Sequence, residues 1–125
     1  PSMTFPIQRA LLHPQVVPGV ESPLGLDKVF SLDFRPVDES RFPLFRLARE
    51  VTLTGGTAPA IYNAANEVAV AAFLDQKLPF LAISAVVEHT LRDGSHFEPS
   101  SLSEVLAVDA ESREIARRMC NKLAR

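Results

Sequence analysis

Several features are scarce in this 125-residue chain, and each scarcity excludes a class of protein. Its single cysteine, Cys120, cannot form an internal disulfide, which favours a reducing compartment such as the cytoplasm. Thirteen lysines and arginines against fifteen aspartates and glutamates leave no positive surplus for phosphates, so nucleic-acid binding is not expected. No apolar run approaches the roughly 20 residues of a membrane span, and no segment has the pattern of a signal peptide.

What the chain does contain is enough apolar sequence for one folded core. Hydrophobic residues make up 46% of it and charged residues 22%, which are ordinary values for a globular domain. Ten prolines are many for this length, and seven of them fall within the first 43 residues. The chain also begins with proline rather than methionine, so we expect it to be part of a longer polypeptide.

The first 40 residues predict a short helix and an irregular arm. Residues 1–12 can form the helix, and the prolines and glycines of residues 13–40 indicate turns without regular structure. Within the arm, the alternation of Phe30, Leu32 and Phe34 with polar residues predicts a short strand with one buried face. Because a single strand is not stable alone, its partner is expected to lie outside this sequence.

The remainder of the chain predicts four amphipathic helices joined by short connections. We place them at about Phe42 to Thr54, Ala58 to Leu74, Leu81 to Leu91 and Ser101 to Ala124. The predicted fold is therefore all-α: a small four-helix bundle preceded by a proline-rich extended arm with one short strand.

Gly55-Gly56-Thr57 lies between the first two bundle helices. Such a sequence before a helix can bind an anion, but it lacks the patterns of phosphate-binding loops. A glycine pair that ends one helix, followed by Thr57 as the N-cap of the next, is the favoured interpretation.

The most unusual motif is Asn63-Ala64-Ala65-Asn66-Glu67. Asn63, Asn66 and Glu67 are spaced i, i+3 and i+4, so all three project from one helix face. They indicate either a ligand or metal site, or a structural network of buried hydrogen bonds that fixes the arm to the bundle. One carboxylate is too few for a hard metal, so the structural network is favoured.

No other group of residues predicts chemistry. His13, His89, His96 and Cys120 do not have the spacing of metal ligands, and no nucleophile with a nearby base emerges. Asp109 and Arg113 have the i, i+4 spacing of a solvated helix face. We therefore predict no catalytic, cofactor-binding or metal-binding residue in this chain.

The order of several short motifs resembles one enzyme family. They are Pro1-Ser2-Met3 with Pro6-Ile7, Leu32-Asp33-Phe34 with Pro36, Arg41-Phe42-Pro43-Leu44, Gly55 to Ala60 running into Asn63 to Leu74, and Val108-Asp109-Ala110 with Arg113 and Ala116. Together they resemble the linker arm and C-terminal helical domain of 1-deoxy-D-xylulose 5-phosphate reductoisomerase, an enzyme family of the non-mevalonate isoprenoid pathway.

The resemblance implies a larger enzyme around this chain. In the family, an N-terminal domain binds NADPH, a central domain holds Mg²⁺ or Mn²⁺, and the enzyme converts 1-deoxy-D-xylulose 5-phosphate into 2-C-methyl-D-erythritol 4-phosphate. Those two domains are the implied partners, within a homodimer located in the bacterial cytoplasm or the plastid. The implied division is 1–12 as the end of the central domain, 13–40 as the arm and 41–125 as the bundle.

Within this chain, the resemblance implies a functional role for Pro1 and Met3 alone. In the complete enzyme they line the apolar wall of the substrate pocket, whereas the isolated chain is expected to be structural and inactive. The alternative hypothesis is a helical protein-interaction module. A third hypothesis, an independent bundle that binds a metal or anion through Glu67 and its asparagines, is the least favoured.

Overall fold

The computed structural model describes residues 2–22, 25, 27, 29 and 31–124 of the chain. By the density of its internal contacts the chain divides into two compact units, Pro1–Arg35 and Pro36–Arg125. Within these described residues, the first unit contains one helix and the second contains four.

In the first unit, helix α1 spans Thr4–Leu12. It ends before His13-Pro14, because a residue that precedes proline is driven out of the helical region. The Gln8 side chain then fixes the following segment: its Nε2 donates to the Pro18 carbonyl at 2.9 Å, and its Oε1 accepts from the Val20 amide at 3.2 Å. None of the described residues of this unit is buried.

The short strand predicted around Phe30 to Phe34 is not observed. Val29 and residues 31–34 have no regular secondary structure, and Phe30 lies outside the described residues. Leu32 and Phe34 are 65% and 87% exposed. A strand forms only against a ladder partner, and the described part of the chain provides none, so the alternating pattern alone does not fix the conformation.

The second unit contains the four helices predicted from the sequence. They are α2 at Pro43–Thr54, α3 at Ala58–Leu74, α4 at Ala82–Asp93 and α5 at Leu102–Leu123. Helix α3 has the predicted bounds, and the other helices end within one or two residues of theirs. The prediction of an all-helical bundle is confirmed.

Helix α3 lies at the centre of the bundle and packs against α2, α4 and α5. Ala64, Ala65 and Ala69 are fully buried on it, and their small side chains let neighbouring helices approach closely. Ile61 of α3 and Val86 of α4 are also completely shielded from solvent. The rest of the apolar core comprises Leu47, Val51, Ala58, Leu78, Ile83, Val87, Val108, Ala116 and Cys120.

Gly55 and Gly56 end helix α2, as predicted from the sequence. Both have positive φ angles, of 68° and 55°, which favour glycine over residues with a side chain. At Gly56 the need is also steric, because a Cβ atom there would lie 2.5 Å from the carbonyl oxygen of Phe97.

Thr57 is not the side-chain N-cap predicted for helix α3, since its side chain makes no capping hydrogen bond. Instead, the buried Thr57 Oγ1 donates to the Ser95 carbonyl at 2.8 Å and accepts from the Phe97 amide at 3.1 Å. The Thr57 amide also donates to the Phe97 carbonyl at 3.0 Å. The sequence could not indicate this role, because Ser95 and Phe97 lie about 40 residues further along the chain.

Candidate functional site

A polar cluster joins helices α3 and α5 at the surface of the bundle. Asn63 Nδ2 donates to Glu67 Oε1 at 3.1 Å, within α3. Arg113 on α5 donates through Nη2 to Glu67 Oε2 at 2.8 Å and to Asp109 Oδ1 at 3.1 Å. Its Nε also donates to Asp109 Oδ2 at 2.7 Å, so Arg113 holds Asp109 with two bonds. The cluster is therefore an ionic link between two helices, centred on one guanidinium.

Two side chains of this cluster, Glu67 and Arg113, have shifted pKa values, and both shifts favour the charged form. Hydrogen bonds from Arg113 and then Asn63, together with the positive charge of Arg113, hold the pKa of the Glu67 carboxyl below its ordinary value. Hydrogen bonds to Asp109 and Glu67 raise the pKa of Arg113. The side chains of Arg113 and Glu67 are 28% and 54% exposed, so water and salt weaken the pairing.

The structure brings together two of the three residues predicted as a polar network. Asn63 and Glu67 bond to each other and are exposed, whereas Asn66 is partly buried and has no side-chain hydrogen bond to any described residue. Among the described residues, the hydrogen bond that the cluster makes to another helix joins Glu67 to Arg113 of α5. Asp109 and Arg113 were visible in the sequence as an i, i+4 pair, but nothing there indicated that they face Glu67, 46 residues away from Arg113.

Of the two residues implied to line a substrate pocket, Met3 is described and Pro1 lies outside the described residues. Met3 precedes helix α1 and is 69% exposed. It lies beside Ile7, Leu11 and Val20 in an open concavity of about 700 Å³ within the first unit. The surface around Met3 is thus predominantly apolar and open to solvent.

The residues that the structure describes offer little other chemistry. They contain no group of three histidine, cysteine, aspartate or glutamate side chains that could hold a metal ion. Cys120 is buried on α5, and burial raises the pKa of its thiol, which makes it a weaker nucleophile. Nor is any described helix both long enough and apolar enough to cross a membrane.

Comparisons with known proteins identify the family. A family model described as the DXP reductoisomerase C-terminal domain matches residues 1–115. The chain belongs to the 1-deoxy-D-xylulose 5-phosphate reductoisomerase family. It is 43% identical over 125 residues to the reductoisomerase of Pseudomonas savastanoi pv. phaseolicola. This alignment covers all of this chain and 32% of that protein. The resemblance noted in the sequence is confirmed.

Solved structures of the family have the same fold. The reductoisomerase from Zymomonas mobilis in complex with NADPH matches 98% of this chain and 32% of its own, with a TM-score of 0.83 and 42% identity. A DOX-P reductoisomerase in complex with NADPH, fosmidomycin and magnesium also matches 98% of this chain and 32% of its own, with a TM-score of 0.81 and 32% identity. The chain thus spans about a third of the length of the family members that it matches.

Proposed function

We propose that this chain serves as the C-terminal helical domain of an NADPH-dependent reductoisomerase that converts 1-deoxy-D-xylulose 5-phosphate into 2-C-methyl-D-erythritol 4-phosphate. The observation that carries the proposal is the 43% identity with a curated reductoisomerase, which runs through all 125 residues while covering 32% of that enzyme. A second support is the TM-score of 0.83 to a reductoisomerase solved with NADPH. Both matches extend over nearly the whole chain, so they support a role for the chain as a unit and not for a single motif.

In the proposed enzyme the chain has three parts. Residues 1–12 end the central catalytic domain, residues 13–40 form the linker arm and residues 41–125 form the bundle. Pro1 and Met3 contribute to the apolar wall of the substrate pocket, and the exposed, apolar surroundings of Met3 support this role. The proposed enzyme acts as a homodimer in the bacterial cytoplasm or the plastid.

NADPH and the divalent Mg²⁺ or Mn²⁺ belong, in this proposal, to the other domains. The described residues do not fit the metal, since they offer no group of three potential ligands. Glu67 and Asp109 do converge, but both are already paired with the guanidinium of Arg113. We therefore assign no chemical step of the reaction to this chain, and apart from the pocket wall at Pro1 and Met3 its proposed contribution is structural.

Turnover measurements test the proposal directly. The 125-residue chain and the full polypeptide encoded by its gene are each mixed with NADPH, Mg²⁺ and 1-deoxy-D-xylulose 5-phosphate, and NADPH oxidation is followed. We expect turnover by a polypeptide about three times as long as this chain and none by the chain alone. Activity of the chain alone would contradict its structural role, and an inactive full polypeptide would contradict the reductoisomerase assignment.

A helical interaction module is the second candidate. The observation that favours it is the exposed apolar face of α1, on which Ile7 is 53% and Leu11 is 79% exposed. Analytical ultracentrifugation of the 125-residue chain tests this second candidate. Sedimentation as a monomer over a wide concentration range counts against self-association through this face, whereas a concentration-dependent dimer supports it.

A further inference from the structure

Asp93-Gly94, at the end of helix α4, is the one Asp-Gly sequence of the chain, which contains no Asn-Gly. Among aspartyl sequences, Asp-Gly is the most prone to spontaneous rearrangement, because glycine has no Cβ to shield its backbone nitrogen and restricts the backbone least. The Asp93 side chain lies at the surface of the bundle and is 44% exposed. Its carboxyl group and water can therefore meet at this position.

The rearrangement needs no enzyme and no reactant other than water. The Gly94 nitrogen attacks Asp93 Cγ and forms a new C–N bond. The protonated carboxyl loses its hydroxyl and the nitrogen loses its proton, and these leave together as water, which gives a succinimide ring. Water then opens the ring at one of its two carbonyls. Opening at the main-chain carbonyl of Asp93 leaves isoaspartate, whose main chain runs through Cβ and Cγ, whereas opening at Cγ restores aspartate.

In the folded bundle the Gly94 nitrogen is not free to attack. Its N–H donates to the Thr90 carbonyl at 2.9 Å, in the bond that closes the last turn of α4. The Asp93 carboxylate is held by side chains of its own helix: Oδ1 lies 3.1 Å from Arg92 Nε, and Oδ2 lies 3.5 Å from His89 Nε2. The ring can therefore close only after the end of α4 opens locally.

The surroundings of Gly94 oppose that opening. A Cβ atom at Gly94 would lie 2.9 Å from the Thr90 carbonyl oxygen and 3.1 Å from the side chain of Ile61, so the Gly94 backbone packs directly on a completely buried residue. The next residue, Ser95, is held through its carbonyl by Thr57 Oγ1 at 2.8 Å. The additional main-chain methylene of isoaspartate would displace Gly94 from these contacts.

We propose that Asp93-Gly94 is a site of spontaneous isoaspartate formation, and that the closed end of α4 controls its rate. Local opening releases the Gly94 amide and permits the attack. Once isoaspartate has formed, the end of α4 no longer closes in the same way, so the modified bundle is less stable. This inference concerns the bundle alone and holds whatever reaction the complete polypeptide catalyses.

Ageing of the 125-residue chain tests the proposal. The chain is kept at neutral pH and constant temperature, in buffer and in a denaturing concentration of guanidinium chloride. Digestion after glutamate then releases the peptide 89–98, and liquid chromatography separates its isoaspartate form, which has the same mass. Electron-transfer fragmentation assigns the modified residue. Asp75, an exposed aspartate followed by glutamine, is an internal control in the same digests.

We expect isoaspartate at Asp93 to form about tenfold faster or more in the denatured chain than in the folded chain, because denaturation removes the need for local opening. In the denatured chain, Asp93 should also react faster than Asp75. Equal rates at Asp93 in the two conditions would overturn the control by the end of α4. A denatured chain in which Asp93 reacts no faster than Asp75 would overturn the site itself.

Two variants of the folded chain separate local from global opening. Thr57→Val removes the hydroxyl that holds Ser95, next to Gly94, whereas Ile83→Val shortens a buried side chain at the opposite end of α4. At a temperature at which circular dichroism shows both variants to be folded, Thr57→Val should speed isoaspartate formation by about threefold or more, and Ile83→Val should have a smaller effect. A Thr57→Val variant that reacts no faster than the parent chain, or an equal acceleration by Ile83→Val, would overturn the local control.

Discussion

The two compact units of this chain differ in whether their apolar side chains are buried. In the bundle, Ile61 and Val86 are completely shielded from solvent. In the first unit no described residue is buried, and Ile7 and Leu11 of α1 are 53% and 79% exposed. Because apolar burial is the main source of folding free energy, the bundle is expected to stabilise itself, and residues 1–35 are expected to add little.

The largest expected difference in stability between the two units comes from shortening one isoleucine in each. Ile61→Ala should lower the free energy of unfolding by about 2–5 kcal/mol, because it leaves a cavity at a position with no solvent exposure. Ile7→Ala, the matched change on α1, should alter it by less than about 0.5 kcal/mol. Urea unfolding followed by circular dichroism measures both. Similar losses from the two variants would show that α1 is part of the same cooperative core.

A second comparison uses two threonine hydroxyls that both have partners. Thr57 Oγ1 bonds to Ser95 and Phe97 in a buried setting, so Thr57→Val should destabilise the chain by about 1–3 kcal/mol. Thr4 Oγ1 donates to Glu21 at 2.7 Å near the surface, where water can replace the bond. Thr4→Val should therefore change stability by less than about 0.5 kcal/mol.

Thermal unfolding of these two threonine variants gives the test. A Thr57→Val variant as stable as the parent chain would mean that the loop carrying Ser95 and Phe97 does not depend on the Thr57 hydroxyl. The expected difference in stability between the Thr57→Val and Thr4→Val variants would then be absent.

Acid should weaken the bundle through its hydrogen-bonded carboxylates. The pKa of Asp38 is lowered by hydrogen bonds from Ser40, that of Glu67 chiefly by Arg113, and that of Glu104 by Ser100. A carboxylate whose pKa is lower in the folded state stabilises the fold fully above its unfolded-state pKa. That stabilisation is lost as pH falls through its folded-state pKa. The loss should therefore begin below about pH 4.5, the ordinary value for glutamate.

The effect at each of these exposed carboxylates should be small, and the Glu67→Gln variant tests one of them. Its unfolding midpoint should fall less than that of the parent chain between about pH 5 and pH 3, because glutamine does not titrate. High salt should reduce the difference. An identical acid response in the two proteins would show that the link between Glu67 and Arg113 does not contribute in solution.

The smallest effect is expected at Ser112, a buried residue of α5. Its Oγ has no hydrogen-bond partner among the described residues. Ser112→Ala removes an unsatisfied polar atom, so we expect stability to be unchanged or raised by up to about 1 kcal/mol. Thr90→Val is the matched control, because Thr90 is equally buried but donates to the Val86 carbonyl at 2.8 Å. A clear loss on Ser112→Ala would indicate that the hydroxyl does have a partner in solution.

The sequence predicted the bundle well where local signals and periodicity agree. Helix α3 has the predicted bounds because Gly55-Gly56 interrupts the helix before it and Pro59 suits its first turn. The strand around Phe30 to Phe34 was not observed, because alternation specifies a face but supplies no ladder partner.

The candidate site was less predictable. Its link from Glu67 to Arg113 joins residues 46 positions apart, and the bond between Phe97 and Thr57 elsewhere in the bundle joins residues 40 positions apart. Such contacts depend on how the helices pack, which hydrophobic periodicity does not specify. The roles of Pro1 and Met3 came from the family resemblance alone and stay predictions.

Removal of residues 1–35 tests most directly whether the bundle folds without the first unit. The Pro36–Arg125 fragment and the full 125-residue chain are unfolded with urea under the same conditions. We predict one cooperative transition for each, with free energies of unfolding that agree within about 1 kcal/mol. Loss of the cooperative transition in the fragment, or a fall of several kcal/mol, would contradict the self-sufficiency of the bundle.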